Sequence, residues 1–175
     1  MDGANDLEPF IAKSMLEMEK VGSTDRVNLV AQMARISQDE LRQVLEKKYK
    51  KTIDPSSSQY RTNIDNAWRG VRRYYVTKND NPNSINYSSR MEKDLGINDI
   101  SNPQTLADFV SWGMKNYPAK HYMLVVMDHG SGWPGALNNE YSGPTGSMMS
   151  TPSIGKALQA AEKTSGKKLD IVHFA

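Results

Sequence analysis

The 175-residue sequence predicts an α/β domain with a largely parallel sheet. Three observations point there. Strand-like and helix-like segments alternate as strand, helix, strand, helix, strand, the order that right-handed crossovers use to lay strands side by side. Residues 121–127, His-Tyr-Met-Leu-Val-Val-Met, form an apolar run without polar alternation, which suits a strand buried on both faces at the centre of such a sheet. Two of the helices carry explicit start signals, Asn102-Pro103 and Thr151-Pro152.

The elements follow in order. Residues 1–6 read as a turn rather than a beginning, so that chain is expected before them. Asp6 is the candidate N-cap of a helix whose stripe is Leu7, Ile11, Met15 and Met18, and Gly22 ends it. Residues 26–35 read as a strand with Val27, Leu29, Ala31 and Met33 alternating on one face. A helix over about residues 37–51 follows, with a hairpin or an insertion as the alternative, and then a loop over residues 54–58. Val71, Tyr74, Tyr75 and Val76 make residues 70–77 a strand, and the Asn, Asp, Pro and Ser content of residues 78–89 makes them a surface loop.

Asn102 caps the next helix, with Pro103 at its first position. Leu106, Phe109, Val110, Gly113 and Met114 then repeat at helical spacing, the pattern of an amphipathic helix lying on a sheet. After the 121–127 strand, residues 130–150 read as one long polar loop carrying five glycines. Thr151 is expected to cap a helix with Ile154, Leu158 and Ala161 on one face and Gly166 just past its end. Residues 169–174 are the last strand.

Composition narrows the function. Hydrophobic residues are 38% and charged residues 24%, ordinary for one globular domain with a real core, so two domains are not expected. Net charge is +2 from 22 basic and 20 acidic side chains, with no basic patch of the kind nucleic acid requires; Lys47-Lys48-Tyr49-Lys50-Lys51 reads as a solvated helix end. No stretch reaches the roughly 18 apolar residues of a membrane span, and no signal segment opens the chain. There is no cysteine, so disulfides and thiolate zinc sites are excluded. The three histidines, His121, His129 and His173, lack metal-ligand spacing, and the ten methionines read as core filler. The phosphate-binding pattern G-x-x-x-x-G-K-[ST] does not occur.

Chemistry concentrates at Met127-Asp128-His129-Gly130-Ser131-Gly132, where an apolar strand empties into a glycine loop. A neutral imidazole there suits a general base, and the Gly130 N–H suits a developing oxyanion. The matching nucleophile is missing. One crossover joins the 121–127 and 169–174 strands, so the two are expected as neighbours at roughly 4.8 Å. A side chain just past Phe174 would then stand beside His129, and a cysteine at that point would be activated by it. Adjacent strand residues face opposite ways, which favours a packing or capping role for Asp128 over orienting His129. Trp133 and Tyr141 either line the site or pack the loop down. His121 and His173 read as ordinary structural histidines.

Four segments, in order, resemble the clostripain-like cysteine peptidases, the C11 family. Asp2-Gly3-Ala4-Asn5-Asp6-Leu7-Glu8 is similar to their D-G-x-N-x-L-E opening, and residues 102–112 to the segment leading to their histidine. Asp128-His129-Gly130-Ser131-Gly132-Trp133 matches D-H-G-x-G-W, and residues 169–174 resemble the strand that delivers F-D-A-C. The resemblance implies a caspase-like three-layer sandwich with a mainly parallel sheet, here a partial domain spanning 1–175 that lacks its first strand and its C-terminal part. It implies a histidine and cysteine dyad with His129 as the catalytic histidine, and cleavage of a peptide or protein substrate after Arg or Lys through an acidic S1 pocket. The partner it implies is the remaining C-terminal part of the same peptidase, and a secreted or cell-envelope location goes with the family. No cofactor is expected, calcium being a possibility by resemblance alone, although no carboxylate-dense loop marks a site.

The chain departs from the family at its end, where Phe174-Ala175 stands in place of F-D-A-C. Ala175 occupies the family's Asp position, or precedes a cysteine after a one-residue deletion, or replaces the cysteine. As given, the chain is expected to be inactive. Residues 130–155 also contain no Lys or Arg, where 22 in 175 would put about three in 26, so no self-cleavage after a basic residue is expected in that loop. The alternative from a different class is a non-catalytic α/β binding module that kept the fold without the nucleophile.

Overall fold

In the computed structural model the described residues are 1–52, 68–81, 83–140 and 147–175; the expected 54–58 loop and Tyr141 lie outside them. The fold is mixed α/β, with four helices and eight strands among the described residues. Two compact units divide the chain, residues 1–98 and residues 99–175.

The first unit begins with β1 (Asp2–Gly3) and α1 (Glu8–Glu19). The D-G-x-N-x-L-E residues build this corner. Asp2 Oδ1 accepts from Ala4 N at 2.8 Å, and Asn5 Oδ1 accepts from Leu7 N at 2.8 Å, so each carboxyl or amide closes a local turn. A Cβ on Gly3 would lie 2.8 Å from the Ala34 carbonyl, which explains the glycine. Glu8 is wholly buried and forms an ion pair with equally buried Arg35, whose Nε donates at 2.7 Å. The expected Asp6 cap is corrected: the N-cap position is Leu7, without a side-chain cap, and Asp6 pairs instead with Lys48. Ile11 and Met15 are the buried part of the predicted stripe.

Strand β2 (Val30–Arg35) runs parallel to β1 and antiparallel to β3 (Gly70–Tyr75), which pairs antiparallel with β4 (Arg90–Asp94). The order is β1-β2-β3-β4. β2 starts four residues later than expected, and Val27 is exposed. Its residues 31–35 are all buried rather than alternating, because its polar side chains are paired inside: Arg73 Nε donates to Gln32 Oε1 at 2.9 Å, and Arg35 meets Glu8. The expected 37–51 helix forms as α2 (Gln38–Tyr49). Its Ser37-x-x-Glu40 start makes a reciprocal capping box. β4 was not foreseen. All five of its residues are exposed and its Arg-Met-Glu-Lys-Asp sequence lacks an apolar face, the composition of a guarded sheet edge. The described part of the 78–89 loop forms neither helix nor strand. The Glu19 carboxylate holds its end by accepting from Ser88 N and Ser89 N at 3.1 and 2.8 Å.

The second unit contains α3 (Pro103–Asn116), β5 (Met123–Val126), β6 (Gly135–Asn139), β7 (Ser147–Ser150), α4 (Thr151–Ser165) and β8 (Ile171–Phe174). As predicted, Asn102 caps α3, accepting from Gln104 N at 2.9 Å. Leu106, Val110 and Met114 of α3 are buried, as are Ile154, Ala157 and Ala161 of α4, and the two helices pack together. Ser150, not Thr151, is the N-cap of α4, and Gly166 closes it in the left-handed region at φ 69°. β5 and β8 pair in parallel, as the single crossover requires.

Two expectations fail here. The 121–127 strand is not buried on both faces: Leu124 and Val126 are buried while Met123 and Val125 are 58% and 41% exposed. Its burial alternates, so the apolar run belongs to a strand of which one face is covered, and β8 is its one sheet neighbour among the described residues. Nor are residues 130–150 one long loop, since β6 and β7 pair antiparallel within them. Alternation is hidden there by a register shift between Ala136 and Asn138, with Leu137 in the left-handed region at φ 60°.

Candidate active site at the ends of β5 and β8

The parallel register sets Val126 beside Phe174. Past that pair the strands remain joined: Ala175 N donates to Val126 O at 2.9 Å, and Asp128 N donates to Ala175 O at 3.3 Å. The backbone that follows β8 therefore lies against the backbone that leads into His129. This is the juxtaposition expected from one crossover between the two strands.

His129 is half-buried, the first residue of the loop that leads to β6. That loop is tied down at several points. Asp128 Oδ2 accepts from Asn138 N at 2.5 Å. Ser131 N donates to Gly135 O at 3.0 Å. From the start of α4, Thr151 Oγ1 donates to Trp133 O at 2.8 Å and Thr151 N donates to Pro134 O at 3.3 Å. Gly135 has φ 151°, and a Cβ there would sit 2.1 Å from the Met149 carbonyl, so only glycine lets β6 approach β7 this closely.

Gly130 is exposed, with open space where a Cβ would be. Among the described residues no hydrogen bond uses its N–H, which leaves that donor available to an oxygen. Trp133 is 83% exposed. Its backbone is fixed by Thr151 while its ring projects into solvent, so burial of the indole does not anchor the loop. The other two histidines lie elsewhere. His121 Nδ1 is 3.2 Å from Asp170 Oδ1 at the start of the β5–β8 pair, and His173 lies exposed on β8. The Asp170 carboxyl is held below its ordinary value, chiefly by the Tyr122 N–H and then by His121.

Sequence reasoning missed the support beneath the hairpin. Asp99 Oδ1 accepts from Ser101 N at 2.9 Å, Ser101 Oγ at 2.6 Å and Asn139 Nδ2 at 2.9 Å. Ser101 Oγ in turn lies 2.5 Å from Ser147 Oγ. One carboxylate thus joins the turn before α3 to both β6 and β7. The only trace in the sequence was a turn-forming Asp-Ile-Ser-Asn-Pro run, which does not disclose a partner forty residues away. No group of three or more His, Asp or Glu that could hold a metal ion occurs among the described residues. No described helix is long and apolar enough to cross a membrane.

No curated protein and no solved structure matches the chain. A family model described as the Clostripain family, peptidase C11, does match it, over residues 1–175. With that match spanning its whole length, the chain belongs to the clostripain family of cysteine peptidases.

Proposed function

We propose that this chain is the histidine-bearing part of a cysteine endopeptidase that cleaves after Arg or Lys, with a caspase-like sandwich as its complete fold. The observation that carries the reading is the pair of backbone hydrogen bonds joining Ala175 to Val126 and Asp128. They support a thiol delivered just beyond β8, beside His129. The sequence has no cysteine, so these 175 residues are proposed to hydrolyse nothing by themselves.

In the proposed reaction the His129 imidazole takes the thiol proton, and the sulfur attacks the carbonyl carbon of the scissile peptide. The Gly130 N–H donates to the oxyanion that forms. The imidazolium then returns its proton to the leaving amine as the C–N bond breaks, leaving a thioester. Water attacks the thioester with His129 as base, releasing the carboxylic acid and the free thiol. The solvent-facing Trp133 ring, on a backbone fixed by Thr151, is assigned to substrate contact.

The gene product in full, assayed on Arg and Lys peptide substrates with and without His129→Ala, tests this. The variant is expected to lose about 10³-fold in kcat. Retained hydrolysis in His129→Ala removes His129 from the mechanism. A full product without a thiol after β8 and without hydrolysis favours a non-catalytic binding module.

A further inference from the structure

We propose that Asp128 is a positioning residue that shapes the His129 loop through the Asn138 N–H; the inference rests on the reading of His129 as the catalytic base. Asp128 is half-buried, and its Oδ2 lies 2.5 Å from Asn138 N, ten residues further along the chain. That bond closes residues 129–137 into a ring at its base. A charged acceptor makes it stronger than a neutral backbone pair.

The geometry of the acceptor site is built for this role. The β6–β7 register shifts between Ala136 and Asn138, and Leu137 adopts φ 60°, a conformation that disfavours a branched side chain by roughly 1 kcal/mol or more. The bulge turns the Asn138 N–H toward Asp128. Within the ring, Ser131 N is taken by Gly135 O and the Trp133 and Pro134 carbonyls by Thr151, while the Gly130 N–H has no bond among the described residues. Asp128 also donates its own N–H to Ala175 O, so one residue fixes both the loop and the chain that leaves β8. At the next residue, Asn139, Asp99 holds the side chain, and the hairpin is pinned by two carboxylates in succession.

The test is amide exchange and proton NMR on the 175-residue chain with Asp128→Ala and Asp128→Asn, neither of which requires hydrolysis. In Asp128→Ala the Asn138 amide is expected to exchange at least tenfold faster and the His129 ring signals to change. Asp128→Asn keeps an oxygen acceptor, so it is expected to hold Asn138 exchange within about threefold of the parent and to restore the His129 ring signals. Unchanged Asn138 exchange in Asp128→Ala overturns the proposal, as does equal disturbance by the two variants. Should Asp128→Ala fail to fold, the Asn chain decides alone: its Asn138 proton moves upfield with the loop signals in place, and an unmoved signal overturns the proposal. A failure of His129 as catalytic base appears in the hydrolysis assay and leaves these spectra unaffected.

Discussion

Glu8 shows why a motif that looks functional need not touch substrate. It closes the D-G-x-N-x-L-E segment, and its buried carboxylate meets buried Arg35 on β2. Such a pair gives little net stability against an apolar replacement, but removing one partner strands the other charge. Glu8→Ala is therefore expected to cost about 3–5 kcal/mol in denaturant unfolding. Its footprint is faster amide exchange in β2 and β3, and an effect below 1 kcal/mol would show that Arg35 has other means of compensation. The same pairing hid from the sequence that β2, expected as an alternating strand, is buried along residues 31–35. Gln32 and Arg35 look solvent-facing when only hydropathy is read, and nothing local announces that Arg73 and Glu8 will meet them inside. Conversely Asn102, Ser37 and Gly166 were legible or nearly so, because each acts on residues within one helical turn.

Among the elements, the β6–β7 hairpin is the one the sequence concealed and the site depends on. Its bulge breaks the period-2 pattern, and the polar, glycine-rich composition around it reads as loop. Gly135 is its closest approach. A Cβ would lie 2.1 Å from the Met149 carbonyl at a φ that L residues rarely adopt, so Gly135→Ala is expected to cost about 2–4 kcal/mol and to loosen the His129 loop. A melting temperature unchanged by the substitution would show that β6 moves freely away from β7. The β5–β8 pair has a different sensitivity. The Asp170 carboxyl lies below its ordinary value because its charged form accepts from Tyr122 N and His121. A depressed carboxyl stabilises the fold above its unfolded pKa, and that contribution is lost as pH falls through the lowered folded value. The Tyr122 amide signal is therefore expected to hold steady down to about pH 4 and to move only in more acid solution. Asp170→Asn should abolish that movement.

For the whole molecule, the α/β character and the parallel β5–β8 crossover were legible because they depend on element order, while the division into two compact units and the antiparallel β2-β3-β4 ladder depend on pairings between distant segments. The site was legible to the same extent. The glycine-flanked histidine and its neighbouring strand end could be read from order and spacing; the Asp128 and Asp99 ties could not. Family membership and the Ala175 hydrogen bonds converge on one claim, that His129 pairs with a thiol delivered at the end of β8. Two single-cysteine chains test it most directly, Ala175→Cys and the chain with one cysteine appended after Ala175, each with and without His129→Ala. Alkylation by iodoacetamide at pH 6–7 reports the thiolate. In at least one of the two positions the thiol is predicted to react about tenfold faster when His129 is present. Equal rates with and without His129 in both positions would contradict the account.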